Sequence, residues 1–224
     1  ALEQGLPLLQ PEKLKDETFL AQLQMLHADL QIVVAFRMLP EVVWAMPRLG
    51  TFNLHASLLP QYRGAAPINW AIMNGEKETG ITTFFIEKDI DTGEIIDQVH
   101  VPIAETDTFE DVHDRLMQLG GDLVINTVDN MLAGCIQSHP QNISTGLNLK
   151  PAPKIFRETC RIDWSRSVEE IYNFVRGLCP MPAAWTMLEG GKQPEVMKIF
   201  KTEKISESHS YEIGTVITDE RTFL

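Results

Sequence analysis

The sequence has few cysteines, and they are not arranged as metal ligands or as a disulfide framework. It contains three, Cys135, Cys160 and Cys179, with no Cys-x-x-Cys pair, and the odd number argues against paired disulfides. The six histidines are also scattered, without a His-x-x-x-His repeat or a Cys/His cluster at zinc-ligand spacing. We therefore interpret the cysteines as reduced thiols and expect no metal site.

Long apolar runs and an N-terminal targeting segment are missing as well. No run approaches the roughly 18 apolar residues that a membrane-spanning helix needs. The opening Ala-Leu-Glu-Gln has no basic region followed by an apolar stretch, which excludes a signal peptide at this position. It also lacks an initiator methionine, so we expect the chain to begin partway into a larger protein. We expect a cytoplasmic location and no membrane partner.

The chain has fewer basic than acidic residues. The chain has 19 Lys and Arg against 31 Asp and Glu, a net charge of −12. An acidic chain binds nucleic acid poorly, because the phosphate backbone attracts cations. A nucleic-acid substrate is therefore disfavoured unless basic residues are grouped locally or lie in missing sequence. The 224 residues, 44% of them hydrophobic, suffice for a large core and a small second domain.

The first half of the chain alternates strand and helix patterns, which indicates a βαβ unit and a parallel sheet. The predicted elements are a helix over 11–26 capped by Asp16, a strand over 30–36 buried on both faces, a helical turn over 40–46, a strand over 51–54, and a helix from Pro67 to 74. Two further strands over 81–87 and 94–101, joined through an Asp-Thr-Gly turn, predict a hairpin and hence a mixed sheet.

The second half begins with the clearest helix pattern. Apolar residues recur at spacings of three and four over 106–132, with Asp107 and Glu110 as a capping box and Gly134 as the C-cap. The rest is predicted as a linker, a helix over 167–178 capped by Ser167 and Glu170, and strands over 184–188, 196–200 and 214–217. The predicted organisation is a catalytic domain at 1–137, a linker at 138–160 and the start of a β domain at 161–224, which ends without closing.

Asn53, His55 and Asp91 form the candidate catalytic set. Asn53 and His55 are two residues apart at the end of a predicted strand, so their side chains point to the same side. Imidazole transfers protons near neutral pH, an amide N–H can hold a developing oxyanion, and a carboxylate can support the imidazole. Such groups suit a metal-free acyl transfer to an amine. Taken alone, an Asn-x-His pair is more often structural, and Asp-Thr-Gly is a common turn.

The residues around this set resemble the formyltransferase family that uses 10-formyltetrahydrofolate. The resemblance lies in Asn-Leu-His-Ala-Ser-Leu-Leu-Pro at 53–60, Tyr-Arg-Gly-Ala-Ala-Pro-Ile at 62–68, Gly-Ile-Thr at 80–82 and Asp-Thr-Gly at 91–93. Shorter matches, such as Arg-Ile-Asp-Trp at 161–164 and Pro-Met-Pro at 180–182, extend it over nearly the whole chain. Each piece is weak alone, but the joint pattern is specific.

The resemblance implies an α/β fold of the Rossmann-like type. It has a mostly parallel sheet with flanking helices, whose N-terminal strands are missing here, followed by a truncated β-barrel of the OB-like type. It also implies 10-formyltetrahydrofolate as co-substrate, no metal, and the methionyl group of initiator tRNA as the acceptor for translation initiation. We expect a monomer.

Site residues follow from the same resemblance. Asn53, His55 and Asp91 correspond to the family's catalytic trio. The residues implied to contact the folate are Phe36, Arg37, Met38, Leu39, Ser57, Leu58, Leu59, Pro60, Lys88, Asp89 and Ile90. Arg63 and Lys154 are the candidates for contacting tRNA. We also hypothesise a cis peptide bond between Leu59 and Pro60, because X-Pro bonds in tight ligand loops can adopt it.

The chain departs from the family pattern in several places. Many members carry Tyr-Gly where this chain has Phe36-Arg37, and Arg37 is either a solvated charge or a contact to the folate tail or the tRNA. The family's opening strand with its Gly-Thr-Pro turn is absent, as is the basic loop that reaches the tRNA acceptor end. The C-terminal barrel is also shorter. Missing basic segments would account for part of the −12 charge.

Other functions stay open at this point. The same fold could formylate an amino-sugar nucleotide, a purine precursor or another small amine, or it could hydrolyse 10-formyltetrahydrofolate. The Gly-Ala-Ala-Pro-Ile motif at 64–68 followed by a β domain favours the tRNA acceptor. A non-catalytic folate- or RNA-binding module is the alternative of another class, and the complete Asn53, His55 and Asp91 set argues against it.

Overall fold

The computed structural model describes residues 1–34, 38–143, 148–191 and 193–217. Two compact units divide the chain: unit 1 comprises 1–61, 80–99 and 118–149, and unit 2 comprises 62–79, 100–117 and 150–224. The elements in chain order are α1 (Glu17–Met25), β1 (Gln31–Val34), α2 (Glu41–Trp44), β2 (Thr51–His55), α3 (Pro67–Met73), β3 (Glu78–Phe85), β4 (Ile95–Pro102), α4 (Phe109–Leu132), α5 (Val168–Leu178), β5 (Ala184–Leu188) and β6 (Glu195–Ile199). Within the described ranges, no helix combines the length and apolarity needed to cross a membrane.

A four-stranded sheet in the order β1-β2-β3-β4 organises the first half of the chain. β1 and β2 run parallel, with Val33 opposite Asn53, whereas β2 and β3 run antiparallel, with His55 opposite Thr82. β3 and β4 are neighbours, and the Phe85 N–H donates to the carbonyl of Glu94 across the connecting turn. The predicted α/β class, the βαβ unit and the mixed sheet are therefore confirmed.

The C-terminal half of α4 covers one face of this sheet. The hydroxyl groups of Thr127 on α4 and Thr83 on β3 are hydrogen-bonded at 3.1 Å. A Cβ atom added to Gly120 would lie only 2.8 Å from the Leu54 side chain. Glycine at this position therefore lets the helix lie close against β2.

The prediction that the first strand is buried on both faces is wrong for its described part. Only Val33 is buried in β1, whereas Ile32 and Val34 are 45% and 58% exposed. β1 is the first strand in the sheet order, and Val34 pairs with Leu54 on the face that α4 covers. The exposure indicates that α4 leaves this edge open to solvent, so an apolar run alone does not establish burial.

Two helix starts differ from the predictions. α1 begins at Glu17 rather than at residue 11, because Asp16 has extended backbone angles and accepts the Phe19 N–H at 3.0 Å. The predicted cap residue Asp16 is thus confirmed, and the residues before it are not helical. α2, α3 and α5 lie where the pattern predicts them.

The capping box of α4 lies one residue later than predicted. Thr108 and Asp111 form it, since the Asp111 N–H donates to the Thr108 hydroxyl and the Thr108 N–H donates to the Asp111 carboxylate. Asp107 instead accepts the Ala104 N–H at 2.8 Å and a bidentate interaction from Arg115. The Asp107 carboxylate is therefore bound to Ala104 and Arg115 and does not cap the helix.

Unit 2 also contains the helix α5 and a small two-stranded sheet. The capping box of Ser167 and Glu170 on α5 is confirmed, and β5 and β6 form an antiparallel pair. α5 packs on α3, where the Asn69 amide donates to the Gly177 carbonyl at 2.8 Å. The predicted strand over 214–217 is wrong, because Gly214 has φ 81° in a turn. The OB-like barrel and the domain ranges 1–137, 138–160 and 161–224 stay predictions.

Candidate functional site

Strand β2 places Asn53 and His55 on the face of the sheet opposite to α4. Leu54, between them, points toward α4, and alternation along the strand directs its neighbours the other way. Their partners on β3 are Phe84 and Thr82, with the His55 ring edge-on to the Phe84 ring at 6.3 Å. Asn53 is 3% exposed and His55 is 7% exposed. The two polar side chains thus lie on the same side of the strand, as predicted, and both are buried.

Asp91 reaches this face from the turn between β3 and β4. Its Oδ2 atom lies 3.9 Å from Nδ1 of His55, and Asp91 is 8% exposed. The structure therefore brings together two residues that are 36 positions apart in the sequence. A separation of 3.9 Å is longer than a hydrogen bond but within ion-pair distance when the imidazole is protonated.

The turn that carries Asp91 is tightly constrained. Asp91 has φ 55°, in the left-handed region that non-glycine residues seldom occupy. Two residues later, a Cβ atom at Gly93 would lie 1.8 Å from the Phe85 carbonyl oxygen, so only glycine fits. The Thr92 hydroxyl donates to the Asp89 carbonyl at 3.0 Å. The close packing at Gly93 and the Thr92 hydrogen bond thus constrain the backbone from which the Asp91 carboxylate projects.

The loop after His55 is held by buried hydrogen bonds from β3 and β4. The fully buried Thr82 hydroxyl donates to the Ser57 carbonyl at 2.6 Å and accepts the Leu59 N–H at 3.3 Å. The Gln98 amide donates to Thr82 at 2.8 Å and to the Leu59 carbonyl at 3.0 Å. The Leu59-Pro60 peptide bond is cis, which confirms the hypothesis. Sequence reasoning missed Gln98 altogether and noted Thr82 only within a motif.

The predicted folate-contacting residues differ in their surroundings. Ser57 is fully buried with its hydroxyl donating to the Gln61 carbonyl, and Leu59 packs in a core cluster with Phe84 and Ile95. The side chains of Met38, Lys88, Asp89 and Ile90 are exposed, and those of Leu39, Leu58 and Pro60 are half-buried. Phe36 and Arg37 lie outside the described residues.

An open groove of about 630 Å³ lies in unit 1 and includes Met38 and Leu39 but none of Asn53, His55 and Asp91. Its lining is mostly apolar and contains Leu14, Lys15, Met38, Leu39, Pro40, Glu41 and Val42. β1 and β2 are parallel and in register, so the carboxyl ends of the two strands lie at the same edge of the sheet. In parallel sheets, ligands bind beyond this carboxyl edge.

The two tRNA candidates belong to unit 2. The Arg63 carbonyl accepts the Ala152 N–H at 2.8 Å, and the exposed Lys154 ammonium lies 5.5 Å from the centroid of the Phe156 ring. Between Arg63 and the helix α3, Gly64 has φ 126°, and an added Cβ would lie 2.4 Å from the Ala152 carbonyl oxygen. The glycine of this motif is therefore required for the close approach of the two segments.

A polar cluster around the buried Tyr62 lies in the same part of unit 2, with Glu76 and Lys150 half-buried. The Tyr62 hydroxyl donates to Glu76 at 2.6 Å, and the Lys150 ammonium donates to the same oxygen at 2.6 Å. Burial and the hydrogen bond to Glu76 raise the pKa of Tyr62 well above its ordinary value. Burial alone would raise the pKa of Glu76, but the bonds from Lys150 and Tyr62 outweigh it, so that pKa lies below its ordinary value. Across the described ranges, no three His, Cys, Asp or Glu side chains are grouped to hold a metal ion.

Two family models match the chain, Formyl transferase over residues 2–128 and Formyl transferase, C-terminal domain, over residues 154–224. A methionyl-tRNA formyltransferase of Bacteroides fragilis is 62% identical over 226 residues, which cover 100% of this chain and 70% of the relative. Its counterpart in Flavobacterium psychrophilum is 51% identical, covering 99% and 69%. A sugar N-formyltransferase structure from Shewanella sp FDAARGOS_354 superposes with a TM-score of 0.70 at 22% identity, covering 92% of this chain and 80% of that one.

Proposed function

Because this chain belongs to the formyl transferase family, we propose that it transfers the formyl group of 10-formyltetrahydrofolate to the α-amine of methionyl initiator tRNA. The relatives named methionyl-tRNA formyltransferase support this acceptor, since the similarity at 62% identity extends over 100% of the chain. The sugar N-formyltransferase shares the fold at 22% identity, and that likeness carries no argument about the acceptor.

The observation that carries the proposal is the buried pair of His55 and Asp91 on the face that also holds Asn53. When bound, the folate supplies an activated formyl carbon. The Asn53 amide N–H donates to the formyl oxygen, where negative charge develops as the amine attacks. The His55 imidazole would take the proton from the attacking amine and pass it to the departing folate nitrogen as the bond from that nitrogen to the formyl carbon breaks, and the Asp91 carboxylate would stabilise the imidazolium form in between.

The residues that would hold the folate flank this pair. A pterin is a flat heteroaromatic ring that needs an apolar slot with backbone polar groups at its edge. The apolar lining around Met38 and Leu39 fits this requirement, and we propose the same role for the loop at 57–60 and for Lys88, Asp89 and Ile90. Phe36 and Arg37 are proposed contacts from the sequence alone.

We propose that Arg63 and Lys154 contact the tRNA phosphates, since guanidinium and ammonium groups are the side chains that bind this backbone. The protein would act in the cytoplasm, where initiator tRNA is used. A monomer suffices for the chemistry, because one chain carries Asn53, His55 and Asp91 together.

An assay that compares two acceptors tests the proposal. The protein is incubated with 10-formyltetrahydrofolate and either methionyl initiator tRNA or a nucleotide-linked amino sugar, and the formylated product is measured by mass spectrometry. We expect formylmethionyl-tRNA and no formylated sugar. Preferential formylation of the sugar would overturn the acceptor, and release of formate without transfer would indicate a hydrolase.

A further inference from the structure

Residues 138–141, which follow α4, form hydrogen bonds with the turn between β3 and β4. His139 and Ile95 exchange both backbone hydrogen bonds at 2.9 Å and form an isolated antiparallel bridge. The Ser138 hydroxyl donates to the carboxylate of Glu94 in the same turn. Residues 138–141 thus lie directly against the segment that leads from Asp91 into β4, although sequence analysis interprets them as the start of a linker.

Gln141, at the end of this segment, contacts the turn at Asp91 itself. Its side-chain amide donates to the backbone carbonyls of Asp91 and Gly93, both at 2.9 Å. A primary amide has two N–H donors, which matches the two carbonyl acceptors. Gln141 is half-buried, so losing its amide would leave two carbonyls without this donor in a partly shielded site.

Asp91 needs such support because of its backbone conformation. A left-handed φ of 55° is unfavourable for a residue with a side chain, and it persists only where the surroundings fix it. The direction of the Asp91 carbonyl and the direction of its carboxylate depend on the same backbone angles. Holding the carbonyl therefore restrains the backbone that carries the carboxylate, whose Oδ2 atom lies 3.9 Å from His55.

We propose that Gln141 is a positioning residue for formyl transfer, which aims the Asp91 carboxylate at His55 by binding the carbonyls of Asp91 and Gly93. The inference rests on the proposed function, and its requirement is chemical: position 141 must present hydrogen-bond donors. An ionised carboxylate of the same size presents only acceptors and faces two carbonyl oxygens. A protonated carboxyl group regains one donor.

The first test compares Gln141→Ala with Gln137→Ala, an exposed glutamine four residues earlier. We expect Gln141→Ala to lower kcat by about 10- to 100-fold, as misplacement of a reacting group by a fraction of an ångström does, while KM for methionyl-tRNA changes by less than about two-fold. Gln137→Ala should retain the wild-type kcat. Equal kcat values for Gln141→Ala and the wild type would overturn the inference.

The second test uses Gln141→Glu, which keeps the size of the side chain. We expect its kcat near pH 8 to be no higher than that of Gln141→Ala. As the pH falls toward the ordinary glutamate pKa of about 4.3, a growing fraction of the introduced carboxyl groups takes up a proton and can donate, so the ratio of the Glu to the Ala kcat should rise. A flat ratio with both variants folded, as judged by circular dichroism, would overturn the inference. If Gln141→Ala fails to fold, the kcat of Gln141→Glu relative to that of the wild type must rise as the pH falls.

These outcomes separate the inference from the proposed function. If the wild type and Gln137→Ala do not formylate methionyl-tRNA, the proposed function fails. If both do so and the two Gln141 variants match them at every pH, only the positioning role fails.

Discussion

Nδ1 of His55 lies 3.9 Å from Oδ2 of Asp91, and both side chains are almost fully buried. A carboxylate held beside an imidazole in a buried site can support the imidazolium form during proton transfer, which is the role proposed for Asp91. Strand β2 supplies the histidine, and a left-handed turn supplies the carboxylate.

Replacing His55 tests that explanation directly. We expect His55→Ala to lower kcat by ~10²-fold or more, because proton transfer and charge stabilisation are lost together. His113→Ala, on an exposed part of α4, is the matched control and should retain the wild-type rate. The measurement is single-turnover formylation of methionyl-tRNA. Near wild-type formylation by His55→Ala would remove His55 from the catalytic set.

Thr82 is expected to contribute to stability and to the shape of the loop after His55. Thr82→Val keeps the volume of the side chain but removes the hydroxyl that joins Ser57, Leu59 and Gln98. Leaving buried polar groups without this partner should lower the free energy of unfolding by about 1–3 kcal/mol. Urea titration measures the change, with Thr18→Val on the exposed surface of α1 as control. Equal midpoints for the two variants would contradict the proposed bonding.

Local patterns predicted where Asn53, His55 and Asp91 lie on their own elements, but not that the three form one site. Alternation along a strand places Asn53 and His55 on one face, and Asp-Thr-Gly is a turn sequence, so each side chain could be placed from its near neighbours. The proximity of His55 to Asp91 required the resemblance to the family, because no local rule pairs a strand end with a turn 36 residues later.

Gln98 and Gln141, which support the site, could not be predicted either, because their partners are also distant in sequence. Gln141 lies 50 residues from Asp91, in a segment without apolar period, and Gln98 acts on a loop 39 residues earlier. A glutamine has no pattern that identifies its partner. At α4 the sequence pattern indicated Asp107 as the cap, whereas in the structure Thr108 caps the helix and Asp107 binds the Ala104 N–H and Arg115.

Gly64 should tolerate no side chain. Gly64→Ala would combine a φ of 126° with a Cβ 2.4 Å from the Ala152 carbonyl oxygen, and we expect it to destabilise the protein by roughly 3 kcal/mol or more. Gly121→Ala is the control, because it lies in α4 with open space around the added Cβ and should stabilise by about 0.5–1 kcal/mol. Thermal unfolding gives both values, and similar melting temperatures for the two variants would contradict this account.

Acid should weaken unit 2 through Asp107. Burial alone would raise the pKa of Asp107, but hydrogen bonds from Arg115 and the Ala104 N–H outweigh it, so that pKa lies below its ordinary value. A lowered folded-state pKa means that the unfolded chain binds the proton more readily. The stabilisation is therefore complete above the ordinary carboxyl pKa of about 4 and is lost as the pH falls through the lower folded-state value.

Asp107→Asn isolates this contribution. The stability difference between wild type and Asp107→Asn should be largest near pH 7 and should shrink as the pH falls below about 4, because the wild-type carboxyl group then becomes neutral as well. Asp122→Asn, on the exposed side of α4, serves as the control and should show a much smaller dependence. Urea titrations across this pH range provide the comparison. A difference that stays constant with pH would mean that the charge on Asp107 does not stabilise the fold.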